Sequence, residues 1–317
     1  MGVSASRSDE NPASEGVPPA GSPPTSHERD NTTTHILMAL FAASGCAALM
    51  YEIVWFHLLR LVIGASALSL GILLASFMGG MFLGSLLFSR VVSRDRNALR
   101  VYGAIEIGIG GMGLLMPLLV PGARAAYLEA FGYGILGIAL RACIAGVMLL
   151  PPTALMGATL PAIARRYSDG RGGLTSLALL YGSNTVGAVA GCLLAGFWIL
   201  PNSDVIVASG IAAALNFAIG AVAFWLARAP AVSSENPATV DGASPPPPLP
   251  RPYAVYGVAA LSGMTALGAQ VAWTRLLALL FGGTTYTFAI ILAVFLGGLG
   301  IGSAIAAWAI RRGESGA

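Results

Sequence analysis

Residues 36–63 read ILMALFAASGCAALMYEIVWFHLLRLVI, an apolar run in which Glu52, His57 and Arg60 are the only charged or basic side chains. The run is longer than the roughly 20 residues that a helix needs to cross the hydrocarbon of a bilayer. Seven similar runs follow, at about 66–90, 98–120, 136–163, 174–199, 204–227, 253–281 and 284–310. We therefore predict an all-α integral membrane protein with about eight transmembrane helices.

The composition agrees with a chain that is surrounded by lipid. Hydrophobic residues make up 56% and charged residues 10% of the chain, against about 25% charged residues in soluble domains. The chain has arginine but no lysine, which excludes a lysine-dependent phosphate loop or Schiff base. Cys46, Cys143 and Cys192 lack metal-ligand spacing, so the sequence predicts neither a metal site nor a cofactor. The lipid bilayer is the expected partner, and no nucleic-acid partner is expected.

Polar segments divide the chain. Residues 1–35 are rich in Pro, Ser and Thr and are predicted to be a disordered cytoplasmic tail. Residues 228–252 contain four consecutive prolines and are predicted to be an extended cytoplasmic linker. The remaining segments are a six-helix membrane unit at 36–227, a two-helix membrane pair at 253–312 and a short cytoplasmic tail at 313–317.

Arginine is distributed unevenly between the loops on the two sides of the membrane. One set of loops holds 11 arginines, at positions 90, 94, 96, 100, 165, 166, 171, 228, 251, 311 and 312. The alternate set holds only Arg124 and Arg141. By the positive-inside rule the first set faces the cytoplasm. We therefore predict a protein of the bacterial inner membrane with both termini in the cytoplasm.

The sequence contains an internal repeat. Residues 44–94 align without a gap on residues 262–312, a shift of 218, with about 18 identities in 51 positions. The second copy begins at the seventh span and has the same orientation as the first. Parallel six-helix halves joined by a cytoplasmic linker are the organisation of major facilitator (MFS) transporters. The prediction is an MFS-like six-helix unit followed by the first two helices of a parallel repeat.

Two polar positions in the first span have polar counterparts in the repeat. Glu52 is matched by Gln270, and His57 is matched by Arg275. A charged side chain in hydrocarbon costs about 2.5–3.5 kcal/mol on insertion scales, so it normally faces a cavity or a partner. We predict that these four residues form a site that binds a polar or cationic substrate or relays a proton. The alternative is structural, with interhelical hydrogen bonds or a Glu52–Arg275 ion pair.

Other polar and small residues in the spans are interpreted as structural. Glu106 is expected to pair with the arginines at 90–100, and Asn184 to hydrogen-bond across helices. Two consecutive prolines remove backbone donors and should kink the fourth span. The Gly-x-x-x-Gly motifs are interpreted as helix-packing sites. These structural residues are Pro151 and Pro152, and the pairs Gly80 and Gly84, Gly187 and Gly191, and Gly298 and Gly302.

One glycine motif matches a nucleotide-binding pattern in an unsuitable place. Gly108-x-Gly110-x-x-Gly113 satisfies the dinucleotide fingerprint. That fingerprint functions between a strand and a helix, where it aims backbone amides at a pyrophosphate. Here it lies in the middle of an apolar span, so we interpret it as a helix-packing motif.

Several blocks of the sequence resemble the membrane region of the fused MFS/spermidine synthase family. The blocks occur in order over residues 36–312. They are Ser44-Gly45, Tyr51-Glu52-Ile53-Val54-Trp55, Gly79-x-x-x-x-Gly84-Ser85, Leu155-Met156-Gly157-Ala158-Thr159-Leu160-Pro161 and Tyr181-x-x-Asn184-Thr185-x-Gly187. His57 departs from the arginine expected after the tryptophan, whereas Arg275 in the second copy keeps it.

The resemblance implies a transporter-like membrane module whose substrate is a polyamine or a related small molecule. Members of the family carry a soluble aminopropyltransferase-like domain after the membrane helices, which uses decarboxylated S-adenosylmethionine and a polyamine acceptor. The five residues after Arg312 contain no such domain, so this chain is expected to have no catalytic residues. A downstream soluble aminopropyltransferase-like domain is the implied partner. The alternative function is a membrane anchor for a spermidine synthase whose catalytic domain lies outside this chain.

Overall fold

The computed structural model describes residues 26–64, 66–92, 96–129, 134–165, 171–228 and 252–314. Within these ranges the chain forms long helices and no β-strands. Eight of the helices are long and apolar enough to cross a membrane, which confirms the predicted all-α membrane architecture.

The helices follow the predicted apolar runs. They are α1 (Ser26–Ile63), α2 (Ala67–Val91), α3 (Ala98–Glu129), α4 (Ile135–Ala164), α5 (Arg171–Leu193), α6 (Val205–Leu226), α7 (Pro252–Phe281) and α8 (Thr285–Glu314). Helix α5 continues through a π-helical segment, Leu194–Ile199, and a short helical turn, Leu200–Asn202. Helix α4 contains Pro151 and Pro152 in its interior, so the double proline does not end the helix.

Two predicted boundaries need correction. Helix α1 begins at Ser26, so residues 26–35, predicted to be part of the disordered tail, are helical. Helix α8 extends to Glu314, past the predicted start of the second tail at residue 313. An apolar run marks the part of a helix that lies in hydrocarbon, whereas backbone hydrogen bonds can continue the same helix into water. Residues 1–25, 229–251 and 315–317 lie outside the described residues.

The first six helices pack with a two-fold pseudosymmetry. Helix α1 packs along α5 and α2 along α4, and α3 packs along α6. Helix α1 also packs on α6, as α4 does on α3. Exchanging α1–α3 with α4–α6 reproduces all of these pairs. Because successive helices of a membrane bundle alternate in direction, α1 and α4 are antiparallel, and the two groups of three have opposite orientations. The exchange is incomplete, since α1 also packs on α3 without an equivalent α4–α6 contact in the described residues.

Glycines permit the close approach of α2 and α4. The Cα of Gly80 faces Thr153, and that of Gly84 faces the backbone of Ala154. Gly157 of α4 in turn lies against the backbone of α2. A Cβ atom at any of these three positions would overlap the facing helix, so a larger residue would force the helices apart.

The pseudosymmetric pair, α1 and α5, has an equivalent set of contacts. Gly187 lies against the backbone of Ala42, and Gly45 lies against the backbone of Asn184. Gly191 adds a further contact with the backbone of α1. The predicted packing glycines of both motifs in the six-helix unit therefore lie at helix crossings.

The α1–α2 and α7–α8 connections are alike at equivalent positions of the repeat. Gly64 and Gly282 have φ angles of +86° and +84°, a region that favours glycine. The hydroxyls of Ser66 and Thr284 each accept a hydrogen bond from the backbone amide three residues later, at 3.1 and 3.3 Å. We call the end of the bundle that carries both connections the turn end.

Helices α7 and α8 are less covered than the first six. Helix α7 packs on α8 and touches α2, and α8 packs on α5 and touches α1. Gly298 and Gly302, the equivalents of Gly80 and Gly84, would have no described atom within 4 Å of an added Cβ. The described residues thus leave this glycine face of α8 uncovered, whereas the equivalent face of α2 packs against α4.

The glycines of the dinucleotide-like motif lie on three different faces of α3. Each meets a side chain from a different helix. The pairs are Gly108 with Leu155 of α4, Gly110 with Phe217 of α6, and Gly113 with Tyr51 of α1. The motif therefore lies at helix contacts, as its position within an apolar span suggests.

Candidate functional site

A cavity opens at the turn end, between α1, the last turns of α5 and the start of α8. Its volume is about 610 Å³. The polar or charged side chains that line it are His57, Arg60, Ser203, Asp204, Thr284, Thr285 and Tyr286. We call it the turn-end cavity. It is formed jointly by the six-helix unit and by the first residues of α8.

The cavity is lined by both acidic and basic side chains. Asp204 precedes α6 in an extended conformation, and its exposed side chain makes no capping hydrogen bond to that helix. His57 lines the same cavity, and its Nδ1 lies 3.2 Å from Thr285 Oγ1. A ligand in the cavity could therefore meet a carboxylate and basic groups at the same time.

Arg60 is held in place by the second copy of the repeat. Its Nη1 donates a hydrogen bond to the carbonyl of Gly283 at 3.1 Å. Its guanidinium lies 5.3 Å from the centre of the Phe56 ring, and Phe56 stacks on Phe288 of α8 with ring centres 3.9 Å apart. A cation over an aromatic face is attracted by the ring quadrupole. Arg60 and Phe56 thus connect α1 to the α7–α8 turn.

A second, smaller cavity of about 50 Å³ lies beside the first. It shares Arg60, Gly283 and Thr284 with the turn-end cavity. Its other polar lining residues are Ser66, Thr274, Arg275 and Thr287. The Thr274 hydroxyl is buried and has no hydrogen-bond partner among the described residues. The two cavities bring His57 and Arg275, two of the four predicted site residues, to the same end of the bundle.

The other two predicted site residues lie deeper. Glu52 and Gln270 are both buried, and one polar atom of each, Oε1 and Nε2, has no hydrogen-bond partner among the described residues. Glu52, Phe56 and Arg60 follow each other at intervals of four residues, so they share one face of α1. At 1.5 Å per residue, Glu52 lies about 12 Å deeper than Arg60. The stacked Phe56 and Phe288 rings lie between these two levels.

Asn184 makes an interhelical hydrogen bond, as its place in an apolar span suggests. Its Nδ2 donates to the carbonyl of Phe41 on α1 at 3.1 Å. This bond lies beside the glycine contacts of α1 and α5 and has no connection to the cavities in the described residues.

The sequence did not predict the surroundings of Glu106. The expected partners were the arginines at 90–100, but the carboxylate oxygens instead accept hydrogen bonds from Ser44 of α1 and Asn216 of α6. Tyr102, four residues earlier on α3, places its hydroxyl beside the same carboxylate without a well-formed hydrogen bond. The sequence did contain a signal for a polar contact of α6, because Ser209 and Asn216 are the only hydroxyl or amide side chains of that helix. The sequence does not show which neighbouring helix these two side chains of α6 face.

The structure thus shows a multi-pass helical membrane protein with two polar features, the turn-end cavity and the buried group around Glu106. The chain matches none of the protein-family models, curated proteins or solved structures with which we compared it. Its architecture and the chemistry of these two features are therefore the basis for a functional conclusion.

Proposed function

We propose that this chain is a transporter-type module of the bacterial inner membrane that binds a small polar molecule in the turn-end cavity. The observation that carries the proposal is the packing of the helices. Two groups of three helices in opposite orientations, followed in the sequence by a parallel copy of the first two, resemble the organisation of MFS transporters and support the proposal. In such proteins the substrate site lies near the bilayer midplane, at the interface between repeats. The turn-end cavity lies between α1 of the first copy and α8 of the second, at the ends of these helices. The buried Glu52 lies deeper on the same face of α1.

The orientation is part of the proposal. The 11-to-2 distribution of arginines supports cytoplasmic termini, so the turn end faces away from the cytoplasm. A single cysteine at Leu61, which is exposed at the turn end, should react with a membrane-impermeant maleimide in intact cells. A single cysteine at Arg96 should react only after the cells are opened. The reverse pattern would contradict this orientation.

The charges of the cavities support a ligand that carries an amine. Asp204 is the acid on the cavity wall, and Glu52 is a second acid at the level below the Phe56–Phe288 stack. A polyamine, the substrate class implied by the family resemblance, would use both acids. Arg60, His57 and Arg275 are the groups that would hold an anionic end of a ligand, so an amine that also carries a carboxylate is the competing substrate class.

Uptake into proteoliposomes tests the proposal. The purified chain should accumulate labelled spermidine, and Glu52→Gln and Asp204→Asn should each lower uptake about tenfold or more. This follows because a hydrogen bond to a charged group contributes about 1.5–3 kcal/mol, and 1.4 kcal/mol corresponds to a factor of ten. Ser85→Ala is the matched control, since its exposed hydroxyl bonds only its own helix at Phe82.

The outcomes separate the possible functions. Ornithine represents the competing class, an amine that also carries a carboxylate. Uptake of ornithine but not of spermidine would support the transporter proposal and would assign the substrate to that class. No uptake of either compound would contradict the transporter proposal. If an aminopropyltransferase activity also co-purified with the chain from native membranes, the result would favour the membrane-anchor alternative.

A further inference from the structure

Glu106 is a buried acid held by neutral groups from two other helices. It is fully buried on α3. Its Oε1 accepts a hydrogen bond from Ser44 Oγ of α1 at 2.6 Å, and its Oε2 accepts one from Asn216 Nδ2 of α6 at 2.5 Å. Neutral donors solvate a carboxylate only in part. An ionised carboxylate at this depth is therefore unfavourable unless a cation or a proton neutralises it.

Among the residues that the structure describes, the ionisable groups that face Glu106 carry no positive charge. They are Tyr102 on its own helix and Tyr51 on α1. Helix α6 has no ionisable side chain between Val205 and Leu226. The ionisable residues of α4 are Arg141 and Cys143, which lie in the turn-end half of that helix, whereas Glu106 lies near the opposite end of α3. Among the described residues, a proton is thus the simplest source of neutralisation for Glu106.

The atoms that lack partners around Glu106 are those that a protonated carboxyl group would use. A carboxylic acid has an O–H donor, which needs an acceptor. The Tyr102 hydroxyl and Asn216 Oδ1 are both buried and have no hydrogen-bond partner among the described residues. The Asn216 amide can serve both states. Its Nδ2 donates to a carboxylate, and after a half-turn of the amide its Oδ1 accepts from a carboxylic acid.

We propose that Glu106 is a proton-binding site, which carries its proton in this conformation and releases it to water when α1, α3 and α6 separate. Ser44 is on α1, the helix that also supplies His57 and Arg60 to the turn-end cavity. Gain or loss of the proton changes the hydrogen bond that ties α1 to α3. A role in coupling proton movement to transport rests on the proposed function, whereas proton binding itself does not.

Infrared spectroscopy of the purified chain tests proton binding without any transport substrate. A buried protonated carboxyl group gives a C=O stretching band that is separate from that of an ionised carboxylate. We expect such a band at neutral pH in Glu52→Gln, in which Glu106 is the one acid left inside the described membrane spans. We expect its loss when Glu106→Gln is added to the same chain. A band that is retained in this double variant, or no such band in Glu52→Gln, would overturn the proposal.

The pH dependence of unfolding gives an independent measurement. At neutral pH an unfolded glutamate is ionised, so folding would take up one proton at Glu106. The unfolded state then binds fewer protons than the folded state, and the linkage relation makes stability fall as the pH rises. The contribution of Glu106 is a tenfold increase in the unfolding equilibrium constant per pH unit, up to the pH at which the folded carboxyl ionises. Glu106→Gln should remove this contribution, and an unchanged slope would count against the proposal.

A milder variant keeps the test decisive if Glu106→Gln does not fold. Tyr102→Phe retains the acid and removes one nearby hydroxyl. It should shift the frequency of the carboxyl band because the hydrogen bonding of the acid changes. The comparison is made in chains that carry Glu52→Gln, and a carboxyl band that is unaffected there by Tyr102→Phe would contradict the assignment to Glu106.

Discussion

The two copies of the repeat provide a matched pair of glycines in opposite surroundings. Gly84 of α2 and Gly302 of α8 occupy equivalent positions. A methyl group on Gly84 would overlap the backbone of Ala154, whereas one on Gly302 would meet no described atom within 4 Å. Gly84→Ala and Gly302→Ala therefore make the same chemical change at a packed and an open position.

The expected effects have opposite signs. Alanine favours a helix over glycine by about 1 kcal/mol, and this gain applies at both positions. At Gly84 the methyl group meets the main chain of Ala154, which cannot move aside by a change of rotamer. Overpacking of this kind costs about 1–3 kcal/mol. We expect Gly84→Ala to lower the free energy of unfolding by up to about 2 kcal/mol and Gly302→Ala to raise it by up to about 1 kcal/mol.

Unfolding in mixed detergent micelles measures both variants on the same scale. The difference between the two variants removes the shared helix propensity and leaves the steric cost, about 1–3 kcal/mol. This corresponds to a ratio of unfolding constants of about five to more than one hundred. Equal effects of the two substitutions would refute the reasoning. They would mean that α2 and α4 are not in close contact or that α8 is as tightly packed as α2.

Three further substitutions follow from the described contacts, each measured as the free energy of unfolding in the same micelles. Phe56→Ala removes the ring that stacks on α8 and supports Arg60, so we expect a loss of about 3 kcal/mol, with the exposed Phe82→Ala as a near-neutral control. Asn184→Ala deletes one interhelical hydrogen bond and should lower stability by about 0.6 kcal/mol, and by no more than about 1.7 kcal/mol. Gly64→Ala and Gly282→Ala place a Cβ on backbone with positive φ and should each lower stability by about 1–2 kcal/mol. Clearly unequal effects at these two glycines would contradict the similarity of the two turns.

The sequence predicted the membrane spans well because the bilayer imposes a single strong requirement. Every span must be apolar and about 20 residues or longer, and this requirement is local in sequence. The start of α1 at Ser26 was missed because residues 26–35 are polar and continue the helix beyond its apolar part. The π-helical segment Leu194–Ile199 was also missed, since it differs from an α-helix in hydrogen bonding and not in hydropathy.

The polar sites were harder to predict because they depend on how the helices are rotated. The sequence identified Glu52 and Glu106 as unusual because they are acidic residues in apolar spans. It did not predict which residues surround them. Glu106 has Ser44 and Asn216 as partners, and these lie 62 and 110 residues away in the sequence. The turn-end cavity likewise includes Asp204, a residue at a span boundary that carries no sequence motif. The depth difference between Glu52 and His57 follows from helix geometry, although the sequence interpretation placed them in one site.

The three glycines of the dinucleotide-like motif have a consequence for how this membrane unit can vary in evolution. Since each faces a different helix, no single compensating change can accommodate larger residues at all three. Enlargement of one glycine requires a smaller residue at its own partner, so related sequences should show pairwise co-variation and second-site suppression. The expected pairs are Gly108 with Leu155, Gly110 with Phe217 and Gly113 with Tyr51. In a soluble dinucleotide-binding enzyme the three glycines of this motif would be conserved together. In this membrane unit we expect each glycine to vary independently of the other two.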